Sequence, residues 1–184
     1  FSEEELSYYT DEKYAHEIGN IQKTVDSYAK KYDTKIPIAV AGGIDTPQKV
    51  KHVLNLGVQA VQVGTRFVTT EECDADIRYK QAYIKACKED IVIVKSPVGM
   101  PGRAIKNTML ESVLRGENIP PRKCYHCLAK CDPGKIPYCI TKALIEAAKG
   151  NTEEGLLFCG ANAYRAEKIE TVKEVIANLM QECV

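Results

Sequence analysis

The stretch IPIAVAGGIDTPQKVKHVLNLGVQAVQVGTRF, residues Ile36 to Phe67, holds two short apolar runs. Each is closed by a glycine-bearing turn, AGGI and then GTRF. IPIAVA is a continuous apolar run, the pattern of a strand buried on both faces. DTPQKVKHVLNLG then reads as a helix, with Thr46 as its N-cap, Pro47 at the first helical position and Gly57 closing the end. VQAVQVG is a second strand, stopped by Gly64. Strand, helix and strand in so short a space make a βαβ unit, whose strands are parallel neighbours joined by a right-handed crossover.

Gly43 and Gly64 lie 21 positions apart, so both turns fall at the carboxyl ends of the strands. Ligands of parallel α/β folds sit there. Glycine lets a backbone approach a ligand without a side chain in the way, and it tolerates positive φ. Unpaired N–H groups at a helix N-terminus favour an anion. Taken singly, each turn reads equally as an ordinary strand-to-helix connection. Two of them in register on neighbouring strands suit a phosphate.

Composition narrows the classes. The 184 residues are 45% hydrophobic and 27% charged, the profile of a globular protein of one domain or slightly more. Basic and acidic residues number 25 each, which argues against nucleic-acid binding by phosphate neutralisation. No run of 18 apolar residues occurs, so no membrane-spanning helix is expected. The chain begins at Phe1 without a visible signal peptide. Ser2 and Glu5 fit a capping box behind Phe1, and the opening FSEEEL reads as the middle of a longer protein. With eight cysteines and many lysines and glutamates, a reducing cytoplasm is the expected compartment.

Outside the βαβ unit, residues 2–32 read as mostly helical, with Ile18, Ile21, Val25, Tyr28 and Ala29 recurring at helical spacing. TTEECDADIRYKQAYIKAC reads as a helix capped by Thr70. DIVIVKSPVGMPGRAIKN holds a third apolar run and then a loop. TMLESVLRGEN reads as a short helix ended near Gly116, and ITKALIEAAKGN as one stopped by Gly150. A final amphipathic helix carries Ile169, Val172, Val175, Ile176 and Leu179 as its apolar stripe.

The segment between Gly116 and Ile140 is loop-rich, broken by Pro120, Pro121, Pro133 and Pro137. It contains Cys124, Cys127, Cys131 and Cys139, a spacing suited to a zinc ion or an iron–sulfur cluster. A second C-x-x-C knuckle is absent, so free buried thiols and disulfides stay open as readings. His126 lies inside this cluster as a further candidate ligand. His16 and His52 sit on helices, where a surface role is the default.

Here the residues reach a resemblance. AGGI, then GVQAVQVGTRFVTTEE, an acidic helix with YKQA, GMPGRAIKN and the C-terminal GLLFCGANAYR resemble the nitronate monooxygenase (2-nitropropane dioxygenase-like) family. The flavin-dependent enoyl-ACP reductases share that barrel. The resemblance covers most of residues 36–180. It implies an α/β fold, the C-terminal part of a TIM (β/α)8 barrel with a mainly helical, cysteine-containing C-terminal extension. Residues 1–90 would be the last strands and helices of the flavin-binding barrel. Residues 91–184 would be the post-barrel loop, the cysteine-rich segment and the C-terminal helices.

The implied cofactor is FMN, held through Gly42, Gly43, Gly64 and Thr65, the last with its hydroxyl as an extra donor. The implied reaction is oxidation of an alkyl nitronate by O2. The family's catalytic histidine falls before the position of Phe1, so the expected partner is the N-terminal half of the barrel. The exposed edges of a half barrel also allow a homo-oligomer. Arg103 and Asn107 either reach the flavin or serve as a surface arginine and a helix cap. Arg66 is expected to pair with a carboxylate and not with the phosphate. An FMN-dependent enoyl-ACP reductase and a non-catalytic, metal-stapled binding fragment are the competing functions.

Overall fold

The computed structural model describes residues 11–121, 123–129 and 131–183. The expected capping box at Ser2 and Glu5 lies outside these. The chain divides into two compact units, 1–64 with 173–184, and 65–172.

In the first unit, helix α1 spans Asp11–Tyr32, with acidic residues in its first turn and lysines in its last, as the helix dipole favours. Strand β1 (Ala39–Ala41) pairs in parallel with β2 (Ala60–Gln62) in the register Ala39 to Ala60, Val40 to Val61 and Ala41 to Gln62. Helix α2 (Pro47–Asn55) connects them. Its start follows the sequence signals closely: Thr46 is extended, its side chain accepts from Lys49 N–H at 3.3 Å, and Pro47 opens the helix. Gly57, at φ +91°, turns the chain toward β2. Ile18, Ile44, Val50, Val53 and Val58 are buried.

Two expectations change here. IPIAVA is not buried on both faces: Ala39 and Ala41 are exposed and Val40 half-buried. Among the described residues β1 has only β2 as a strand neighbour. Of the predicted α1 stripe, Ile18 is buried whereas Ile21 and Tyr28 are half exposed.

In the second unit, a single turn α3 (Thr65–Val68) precedes helix α4 (Ile77–Lys85). Thr70 does not cap α4. Its hydroxyl donates to Phe67 C=O at 2.8 Å and finishes the preceding turn, while Asp76 accepts from Arg78 N–H and starts the helix. Strands β3 (Ile91–Lys95) and β4 (Pro101–Ile105) form an antiparallel hairpin. The glycine- and proline-bearing loop expected after the third apolar run is therefore partly strand. Pro101 takes the first strand position, where its missing N–H is tolerated.

Helices α5 (Thr108–Leu114) and α6 (Ile140–Ala148) end at Gly116 and Gly150, both at positive φ. One core gathers Val94, Ala104, Leu110, Tyr138 and Leu156. A second gathers Tyr83, Ile105, Ala147, Leu157 and Ala163.

Helix α7 (Val172–Met180) buries Val175 and Leu179 and leaves Ile176 exposed. Among the described residues no helix is long and apolar enough to cross a membrane.

Candidate functional site

The glycine turn after β1 is built by conformation. Gly42 and Gly43 stand at φ +102° and +69°, a region that L side chains enter only with strain. A Cβ added at Gly42, Gly43 or Gly64 would meet nothing within 4 Å, so the space beside all three is open. Gly64 lies outside the left-handed region, and what it offers is an uncovered backbone.

Two side chains flank the first turn. The Tyr14 hydroxyl on α1 donates to Ala41 C=O and Gly42 C=O, each at 3.4 Å. Lys49, in the first turn of α2, donates through Nζ to Gly43 C=O at 3.0 Å and lies 3.5 Å from Asp45 Oδ1. The first turn of α2 carries no acidic side chain. Lys49 therefore adds positive charge where the helix dipole is already positive, and the Asp45 carboxylate offsets it. Sequence reasoning missed Lys49 and Tyr14. A lysine in a first turn was the available signal for the former, whereas the contact of Tyr14 joins residues 27 positions apart and has no local signature.

The residues that follow Gly64 are held firmly within the second unit. Thr65 Oγ1 accepts from Gly160 N–H at 2.9 Å. Arg66 Nη2 pairs with Glu170 Oε2 at 3.2 Å, so Arg66 does face a carboxylate. Glu71 N–H donates to Glu170 C=O, and Glu170 N–H to Thr69 C=O. The buried Lys80 ammonium donates to Thr70 C=O at 2.7 Å and Glu71 C=O at 3.2 Å. The Glu72 carboxylate accepts from Val172 N–H.

The other sequence candidates stand apart from this geometry. Asn107 is a helix cap: its Oδ1 accepts from Leu110 N–H, and its amide donates to Thr152 C=O and Gly155 C=O. Its polar atoms are spent inside the unit and do not reach for a ligand. Arg103 is half-buried on β4, and its C=O accepts from Cys159 N–H. His16, His52 and His126 are exposed, His126 at φ +52°.

Among the described residues no three His, Cys, Asp or Glu side chains are grouped to hold a metal ion. Cys124, Cys127, Cys131 and Cys139 are free thiols. Local partners take two of them: His126 N–H donates to Cys124 Sγ, and Cys127 Sγ lies 3.0 Å from Thr141 Oγ1. Partial desolvation, then the neighbouring Cys124, Cys127 and Cys139, push the Cys131 thiol up. Burial pushes Cys159 up to about 12, which makes it a poor nucleophile. Tyr83 is also raised by burial, and its hydroxyl donates to Phe158 C=O.

The class these observations define is an α/β protein whose parallel βαβ unit ends both strands in open glycine turns. The sequence profile of the nitronate monooxygenase family matches residues 9–182, and the chain belongs to that family. A probable nitronate monooxygenase of Staphylococcus haemolyticus is 37% identical over 87 residues, covering 47% of this chain and 24% of that protein. The nitronate monooxygenase of Pseudomonas aeruginosa is 28% identical over 151 residues, covering 80% of this chain and 39% of that protein. FabK from Thermotoga maritima matches with a TM-score of 0.63 at 26% identity, covering 81% of this chain and 44% of that one. A nitroalkane oxidase from Streptomyces ansochromogenes, at TM-score 0.57 and 22% identity, shares the fold over 83% of this chain and 42% of its own. The matched parts cover between 24% and 44% of these relatives' own lengths.

Proposed function

We propose that this chain carries the phosphate-binding part of an FMN-dependent oxidoreductase of the nitronate monooxygenase type, acting on alkyl nitronates with O2. The observation that carries the reading is the turn Gly42–Gly43. Its left-handed backbone faces open space, and the cation of Lys49 sits on the same turn. This set fits a phosphate: backbone N–H groups, a helix N-terminus and a cation, with the nearby Asp45 paired to Lys49. Gly42, Gly43 and Gly64 would hold the phosphate through the backbone, and Thr65 would add its hydroxyl.

When bound, FMN supplies the two-electron redox chemistry that protein side chains lack. The contribution of these residues is to fix its phosphate end. No proton transfer is assigned to them or to the exposed His16, His52 and His126. The histidine that the family resemblance implies is assigned to none of these residues. In this reading residues 1–90 belong to a TIM barrel, and residues 91–184 follow the barrel.

The test is direct. The full protein carrying this chain is expected to purify yellow, or to take up added FMN with the visible flavin bands appearing. A colourless protein that takes up no FMN would end the reading. The FabK likeness favours a second reading, an FMN-dependent enoyl-ACP reductase. Nitronate-dependent O2 uptake supports the first, and anaerobic bleaching by NAD(P)H with turnover of an enoyl thioester supports the second.

A further inference from the structure

The Thr65 hydroxyl is tied to a residue 95 positions away, through the hydrogen bond it accepts from Gly160 N–H. A hydroxyl has one proton and two lone pairs. With a lone pair engaged by the Gly160 N–H, the proton is directed away from Gly160 and remains available to donate. An ionised phosphate only accepts, so a hydroxyl held in this sense is matched to it. We propose that Gly160 is a positioning residue that fixes the Thr65 hydroxyl as a donor to the FMN phosphate; this rests on the FMN reading above.

Gly160 is a glycine for space, not for conformation. Its φ lies outside the left-handed region, but a Cβ there would stand 2.8 Å from Thr65 Oγ1 and 3.6 Å from Thr65 Cβ. The strap that carries it has anchors of its own. Tyr83 donates to Phe158 C=O, Phe158 bridges to Ala104, and Cys159 N–H donates to Arg103 C=O at 2.9 Å. Beyond Gly160, Ala163 N–H returns to Gly160 C=O, and Ala163 is buried in the second core. The strap cannot retreat freely, so an added methyl displaces the Thr65 hydroxyl instead. Arg66 with Glu170, and Lys80 with Thr70 and Glu71, hold the adjoining backbone on the other side.

Riboflavin separates this role from general packing, because it is FMN without the phosphate. The experiment measures FMN and riboflavin affinity by flavin-fluorescence quenching in the full protein, for the wild type, Gly160→Ala, Thr65→Ala and the double variant. The expected result for Gly160→Ala is FMN binding weakened about tenfold, with riboflavin binding nearly unchanged, as for loss of one charge-assisted hydrogen bond. In the Thr65→Ala background the Gly160→Ala change should add nothing, since its target is gone. Equal loss for both flavins, no loss for FMN, or full additivity would overturn the proposal. If Gly160→Ala fails to fold, Thr65→Val and Thr65→Ser decide. Ser must keep the preference for FMN and Val must lose it, and a Val variant that keeps it overturns the proposal. A wild type that binds FMN no tighter than riboflavin would overturn the FMN reading itself, a result distinct from all of these.

Discussion

Around the turns that follow β1 and β2, a Cβ added at Gly42, Gly43 or Gly64 meets nothing within 4 Å. In the second unit a Cβ at Gly102 meets the Phe158 ring, one at Gly155 the Ala147 backbone, and one at Gly150 the Asp76 carboxylate. The same residue type thus does two jobs. At Gly102, Gly150 and Gly155 neighbouring atoms already fill the space, as close packing demands. At Gly42, Gly43 and Gly64 the backbone is left uncovered. Glycines that neighbouring atoms crowd and glycines that leave backbone uncovered are distinguished by what surrounds them.

The comparison can be broken by substituting one glycine of each kind. Gly155→Ala places a methyl 2.6 Å from Ala147 backbone atoms. It should cost about 2 kcal/mol of stability by urea unfolding, the usual range for overpacking a filled site. Gly43→Ala has space but must hold φ +69°. It should cost about 1 kcal/mol of stability, the strain of a left-handed L residue, while weakening FMN binding clearly. Equal destabilisation by the two changes, with no effect of Gly43→Ala on flavin binding, would dissolve the distinction.

The smallest expected effect sharpens the packed side. Asp76, which caps α4 beside Gly150, has its carboxyl held down from 3.8 to about 2, first by the Arg78 side chain and then by the Arg78 backbone N–H. A carboxyl lowered in the folded state stabilises fully above its unfolded value, and that contribution is lost as pH falls through the folded value. Melting temperatures should therefore drop between about pH 4 and 2 more steeply in the wild type than in Asp76→Asn. Parallel curves would show that the cap carries no acid-side stability.

Local signals carried much of the fold. Thr46, Pro47 and Gly57 delimit α2 because capping chemistry and positive φ are decided within a few residues. The glycine turns were legible for the same reason. Thr70 misled because its hydroxyl satisfied the turn before it, and the choice between Thr70 and Asp76 depends on where α3 ends. Strand β4 was read as loop because Pro101 and Gly102 disguise it, and the need for Gly102 comes from the Phe158 ring, far away in sequence. The cysteine spacing left a ligand set, free thiols and disulfides open, because convergence of sulfurs is a tertiary property that spacing does not determine. The contact of Gly160 with Thr65 was invisible because it joins residues 95 positions apart.

The central claim is that an open glycine backbone receives the phosphate of FMN. Gly64→Val tests it most directly, since Gly64 has open space and no positive φ, so the substitution need not strain the fold. The account predicts that the full protein binds FMN more tightly than riboflavin and that Gly64→Val abolishes this preference with little change in melting temperature. Unchanged FMN affinity in a folded Gly64→Val protein would contradict it.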